Sequence, residues 1–329
     1  MSAEPTKISR ERWTVYLLLS GQIMNNLAIR FGLPAMIFFM QQEYLWSPAQ
    51  LAKVTGAFFP GYMLTQIPAG WIANRFGGKD ILTVNMAGNA LLLCLLPKAA
   101  AMGEGWLYAA MSVMGAFQGP LIPAQGAIKA SWLAGLGAER PFVLRVMGLG
   151  SKIASTLTGL AVPALASTRW GWRSVPYVYG FFTACFATAW HCLASNAPKD
   201  LPAPAAAADA DADAPAAKTA PPPEKKKSVE WGIMTCLPVQ ATMWAHIVDN
   251  TMTYTMNQMG PVWYTSVCNV PATSMGLYLA IPPTLNVCGS FVVGRLEKQL
   301  LLRNTGSGEA WSSLRIQKTM STAYAQSMS

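Results

Sequence analysis

The chain has 329 residues, of which 52% are apolar and 12% charged, where a typical soluble protein carries about 25% charged residues. So few charges cannot cover a soluble body of this length, and so much apolar surface excludes disorder for the bulk of the chain. The net charge of +9 is spread in small groups between apolar runs and forms no single patch, so a nucleic-acid partner is excluded as well.

A bilayer core of about 30 Å needs roughly 20 apolar residues per helix. On that basis the sequence predicts membrane-spanning helices near 13–40, 52–73, 80–101, 105–126, 142–166, 172–194, 239–264 and 272–296. The first holds Gly32 and Pro34, where a bend is expected. The segment 315–329 is too short and polar to span, and reads as the start of a further helix or as an interfacial one. With the N-terminus in the cytoplasm, most Lys and Arg fall in cytoplasmic segments; Lys53, Lys98, Arg169 and Arg173 fall outside. This bias supports both the spans and the orientation. Trp13, Tyr16, Trp172 and Tyr264 read as anchors at the membrane interfaces. The Met243, Met252, Met256 and Met259 face reads as lipid-facing or packing.

Residues 195–229 differ in kind. They are rich in Ala, Pro and Asp, lack hydrophobic period, and end in Lys225–Lys227. They read as a disordered cytoplasmic linker. The expected organisation is a cytoplasmic N-terminus (1–12), a six-helix bundle (13–194), the linker (195–229), two further helices (230–296), and a loop with the start of a ninth helix (297–329). The six cysteines include no CxxC pair and no zinc spacing. No metal site, cofactor, nucleotide-binding loop or enzymatic chemistry is expected, and no cleavable signal peptide.

Charges inside spans are costly and mark function by default. Arg30 lies deep in the first span. It can bind an anion through paired donors or snorkel to the interface. Lys152 can face a watery cavity or reach the interface. His246 and Asp249, three residues apart, share a helix face; the pair can couple an ion or neutralise a nearby cation.

Between the second and third spans stands Gly70-Trp-Ile-Ala-Asn74-Arg75-Phe-Gly77-Gly78-Lys79. This resembles the signature loop of the major facilitator superfamily, with Asn74 where that loop has Asp. Gly61-Tyr62-Met-Leu-Thr-Gln-Ile-Pro-Ala-Gly70 is similar to a run in the anion:cation symporter branch, which holds sodium-linked phosphate, vesicular glutamate, sialin and plant plastid phosphate/ascorbate carriers. Glu139-Arg140, Thr158–Pro163, Gly171–Tyr177 and Leu314–Ser321 resemble further segments of that branch, most closely its plant members.

The resemblance implies an all-α polytopic bundle of two six-helix halves built from inverted repeats. Here the first half is complete and the second holds about two helices. It implies a small anionic substrate, inorganic phosphate or an organic carboxylate, moved by alternating access with Na+ or H+ as coupling ion. Substrate contacts fall on Arg30, with Tyr62, Gln118 and His246 as weaker candidates. Lys152 and Asp249 carry charge pairing or ion coupling. Gly70, Asn74, Arg75, Gly77, Gly78 and Lys79 form the gating loop. The departures are Met111 and Gln118 where the branch carries an arginine and an acidic coupling residue, and Arg295 where the repeated loop has Asp. They favour the alternative, a degenerate or truncated non-transporting membrane protein. The substrate, membrane and oligomeric state are left open by the sequence.

Overall fold

The structure, a computed structural model, describes residues 8–134, 136, 140–198, 236–271, 274, 276–285 and 289. Helix α1 (Arg10–Tyr44) is entered through Ser9, whose hydroxyl accepts from the Arg12 N–H, and ends at Leu45 in a left-handed conformation. It runs through Pro34. A proline has no N–H to donate to the carbonyl four residues back, which here is that of Arg30.

The second expected span is two helices, α2 (Pro48–Gly56) and α3 (Phe58–Phe76). A capping box between Ser47 and Gln50 starts α2. Helix α4 (Lys79–Met102) matches the third expected span. The fourth also divides, into α5 (Glu104–Gln118) and α6 (Leu121–Trp132), at Gly119-Pro120. Helix α7 (Arg140–Ala166) leads through a 3-10 turn (Gly171–Arg173) into α8 (Ser174–Leu193). Helix α9 (Leu237–Ser266) and the short α10 (Gly276–Leu285) follow. Arg10–Tyr44, Lys79–Met102 and Phe142–Ala166 are long and apolar enough, by length and composition alone, to cross a membrane. The linker beyond Pro198, Arg295 and the segment 315–329 lie outside the described residues.

Two packed layers stack along the bundle. One gathers Ile29, Met36, Ile37, Met40, Leu93, Leu96 and Trp172; the other gathers Tyr16, Leu19, Leu82, Met86, Ile128, Trp132 and Trp190. The outer surface stays apolar: Leu64, Ile67, Leu91 and Phe181 are all exposed. In water such a surface would be a liability, and in lipid it is the expected one.

Two expected interface anchors are instead buried. Tyr16 is fully buried because its hydroxyl donates to the Trp132 carbonyl at 3.0 Å, inside the second layer. Trp172 is buried because its indole N–H reaches Glu43 at 2.8 Å. Arg173 clasps the same carboxylate at 2.6 and 2.9 Å, tying the α7–α8 turn to the end of α1. The Arg173 hydrogen bond is the main reason the Glu43 carboxyl titrates below its ordinary range.

At the opposite end the Gly77-Gly78 turn is clipped down. Asn196 Oδ1 accepts from the Lys79 N–H at 2.8 Å, and the Trp190 indole donates to the Lys79 carbonyl at 3.1 Å. Gly77 takes a positive φ of 87°, and a Cβ at Gly78 would overlap the Ala124 carbonyl of α6. Both glycines are therefore required by geometry.

Candidate substrate site

Close helix packing builds the site. A Cβ on Gly61 of α3 would overlap the Ser112 carbonyl of α5, and one on Gly115 of α5 would overlap that of Phe58. A small residue on each helix of this crossing lets the backbones approach. That brings Tyr62, next to Gly61, and Gln118, three residues after Gly115, against the same face of α1.

Arg30 lies between them and is 7% exposed. Its Nε donates to Gln118 Oε1 at 3.1 Å, and its Nη1 donates to the Tyr62 hydroxyl at 3.3 Å and the Tyr254 hydroxyl at 3.0 Å. The guanidinium carbon stands 4.4 Å from the Tyr62 ring centre and 5.6 Å from that of Phe58. All these partners are neutral. Among the described residues no carboxylate pairs with Arg30, and its Nη2 is buried without a hydrogen-bond partner. Gln118 Nε2 is likewise buried and unpartnered. A buried charge met only by neutral groups keeps most of its desolvation cost. An anion at Nη2 removes that cost.

Beside the guanidinium lies a cavity of ≈ 20 Å³, lined by Arg30, Pro34, Thr55, Phe58, Met111 and Tyr254 among others. That is room for about one water. Tyr254 and Asn257 of α9 close the cavity on one side. Met111 is buried in the cavity wall and adds no charge.

The structure thus brings Arg30, Tyr62 and Gln118 together. Tyr254, Thr55 and Phe58 join them and were not singled out from the sequence. Tyr254 sits eight residues after His246 in the same helix, so hydroxyl spacing on α9 was the available signal. His246 is exposed on α9 and lies about 12 Å along the helix from Tyr254 at 1.5 Å per residue. Asp249, on α9, acts electrostatically on Lys152 of α7. In the loop, Asn74 and Arg75 are exposed, with Arg75 resting on Trp71 and Phe76. Arg140 opens α7 and is exposed, whereas Glu139 lies outside the described residues.

These features define a class, an all-α polytopic membrane protein with a buried cation at the heart of its helical bundle. Residues 18–308 match the Major Facilitator Superfamily, and the chain belongs to that family. It is 29% identical over 273 residues to a probable anion transporter 4, chloroplastic, of Oryza sativa subsp. japonica, an alignment covering 83% of this chain and 45% of the relative. It is 28% identical to the chloroplastic ascorbate transporter of Arabidopsis thaliana, covering 82% of this chain and 49% of the relative. It is 28% identical to sodium-dependent phosphate transport protein 1, chloroplastic, of the same plant, covering 83% and 52%. The chain spans about half the length of the curated relatives it matches. A crystal structure of a bacterial homologue of the human lysosomal transporter Spinster, inward-facing and unoccupied, superposes with a TM-score of 0.69 at 16% identity, covering 90% of this chain and 64% of the other. That likeness concerns the fold. The family is one of integral membrane transporters, not enzymes.

Proposed function

We propose that the protein is a secondary transporter of a small anion, inorganic phosphate or an organic carboxylate, and that Arg30 is the group that binds it. One observation carries this reading: a buried guanidinium with an unpartnered Nη2, held only by neutral acceptors. The names of the plant relatives point to the same substrate class. Tyr62, Gln118 and Tyr254 orient the guanidinium. Alternating access then rocks the bundle 13–194 against the second part of the chain about this point, with 195–229 as the cytoplasmic linker. Na+ or H+ is the coupling ion, with Asp249, which acts electrostatically on Lys152, and His246, three residues before it, as the coupling groups. The excess of Lys and Arg on one side favours a cytoplasmic N-terminus.

The test is uptake of radiolabelled phosphate, ascorbate and glutamate into proteoliposomes, with Arg30→Ala alongside. Saturable uptake of one anion, abolished by Arg30→Ala, is the expected result. Uptake no greater than in empty liposomes, for all three anions and under both sodium and proton gradients, overturns it. The second reading, a non-transporting relative, is favoured by the small cavity and by Met111 in its wall; that outcome would count against transport of these anions and shift weight to it.

A further inference from the structure

A seam of buried amides leaves the Arg30 site along α1 and ends at a second cation. On α1, Gln22, Asn26 and Arg30 recur every four residues and so share one face. Against them lie Gln118 and Gln125, and Lys129 one turn further on. Gln22, Asn26, Gln118 and Gln125 are each at most 1% exposed. Gln125 Nε2 donates to Gln22 Oε1, and Gln125 Oε1 accepts from Lys129 Nζ at 2.7 Å. Asn26 Nδ2 donates to the Gln22 carbonyl at 3.1 Å.

The seam is poorly satisfied. Gln22 Nε2, Asn26 Oδ1 and Gln118 Nε2 are buried without partners. Native interiors leave few such atoms, and each calls for a water or ligand. A helix pair that needed only to pack would be cheaper with apolar residues here. Lys129 repeats the electrostatics of Arg30. It is half-buried, an amide is its hydrogen-bond partner, and no carboxylate pairs with it among the described residues. Burial lowers its pKa with no opposing charge to restore it. Lys129 lies at the end of the bundle that carries the Gly77-Gly78 turn, since Gly78 packs against Ile128.

We infer that Lys129 is a second anion-binding station, joined to Arg30 by the Gln22–Asn26–Gln125 seam and occupied by the same anion as it enters or leaves at that end. The inference rests on the anion-carrier reading. On α6 and α5, eleven residues separate Gln118 from Lys129, about 16 Å of helix at 1.5 Å per residue. A single anion therefore contacts one cation at a time, and two weaker stations let it bind and still leave.

The experiment uses the full chain purified in detergent. Pyridoxal 5′-phosphate, an anion carrying an amine-reactive aldehyde, is added and fixed with borohydride, and labelled lysines are located by peptide mass spectrometry. The expected result is labelling of Lys129 that inorganic phosphate suppresses several-fold, while the exposed Lys53 and Lys98 label without protection. Gln22→Met should shift the protecting phosphate concentration upward while leaving Lys53 and Lys98 labelling unchanged. Lys129 left unlabelled, or labelled with no protection by phosphate, overturns the second station. The same labelling on Arg30→Ala separates the two claims. Protection of Lys129 that survives this substitution, with uptake absent in the wild type, sinks the carrier reading and spares the station.

Discussion

The hydrogen bond between Arg30 Nε and Gln118 Oε1, at 3.1 Å, is the contact most open to chemical test. Gln118→Glu places a carboxylate where a neutral amide now stands, with almost no change in shape. The new carboxylate pairs with the guanidinium and competes with any anion for it. The expected outcome is a fall in affinity of about tenfold or more, equivalent to roughly 1.4 kcal/mol, read as the half-saturating phosphate concentration in binding or uptake. Unchanged affinity would remove Arg30 from the site. Tyr254→Phe is milder. It removes one of two hydroxyls on Nη1 and costs on the order of 1 kcal/mol in thermal stability. Arg30 was legible in the sequence because a charge deep in an apolar run needs a reason to be there. Tyr62 and Gln118 followed from resemblance to a motif-bearing family. Tyr254 did not: α9 holds two tyrosines, Tyr254 and Tyr264, and only the docking of α9 on α1 sets Tyr254 against Arg30.

At the scale of elements, the α3–α5 crossing decides whether the site assembles. Gly61 and Gly115 each meet a carbonyl of the opposing helix, so a side chain at either must push the backbones apart. Gly115→Val is expected to destabilise the protein by about 1–3 kcal/mol, the usual cost of overpacking. It should also lower anion affinity, because Tyr62 and Gln118 lie on the two displaced helices. Gly126→Val, on α6, where a Cβ meets nothing within 4 Å, is the matched control. Thermal unfolding in detergent distinguishes them, and equal melting temperatures would count against the crossing. The helix positions were legible from apolar run lengths, but the divisions at Ala57 and at Gly119-Pro120 were not. Hydropathy averages across such breaks. Here the glycine and proline at 119–120 end α5 right after Gln118, while the capping box at Ser47 and Gln50 encodes where α2 begins but not its end at Ala57.

The Glu43–Arg173 clasp joins the ends of α1 and the α7–α8 turn and gives the whole bundle a pH dependence. The folded-state pKa of Glu43 is lowered, chiefly by the Arg173 hydrogen bond. A carboxylate shifted down contributes stability that is fully present above its ordinary value of 4.5 and is lost as pH falls through the folded-state value. Both side chains are about two-fifths exposed, so solvent screens the pair and the effect is small. Melting temperature should fall below pH 4.5 more steeply in the wild type than in Glu43→Gln. Identical profiles would assign the acid sensitivity to other groups.

The charge distribution predicts an orientation of the molecule that can be tested without transport. Lys79, Lys129 and Arg75 cluster at the end of the bundle that holds the Gly77-Gly78 turn, while Lys53, Lys98, Arg169 and Arg173 are assigned to the other side by the spans. Positive residues are retained on the cytoplasmic side during insertion, so the Gly77-Gly78 end should face the cytoplasm. Cys192 sits near the end of α8, two residues past Trp190, whose indole reaches Lys79, and it is free and exposed. Thr168, exposed in the α7–α8 turn, marks the opposite end. In a background lacking other cysteines, a membrane-impermeant maleimide applied to intact cells should label Thr168→Cys and spare Cys192, and permeabilisation should expose Cys192 as well. The reverse pattern would invert the topology and place the Lys129 end outside. Anions would then meet Lys129 before Arg30 on entry, while the geometry of both cations, set by helix packing, would stay the same.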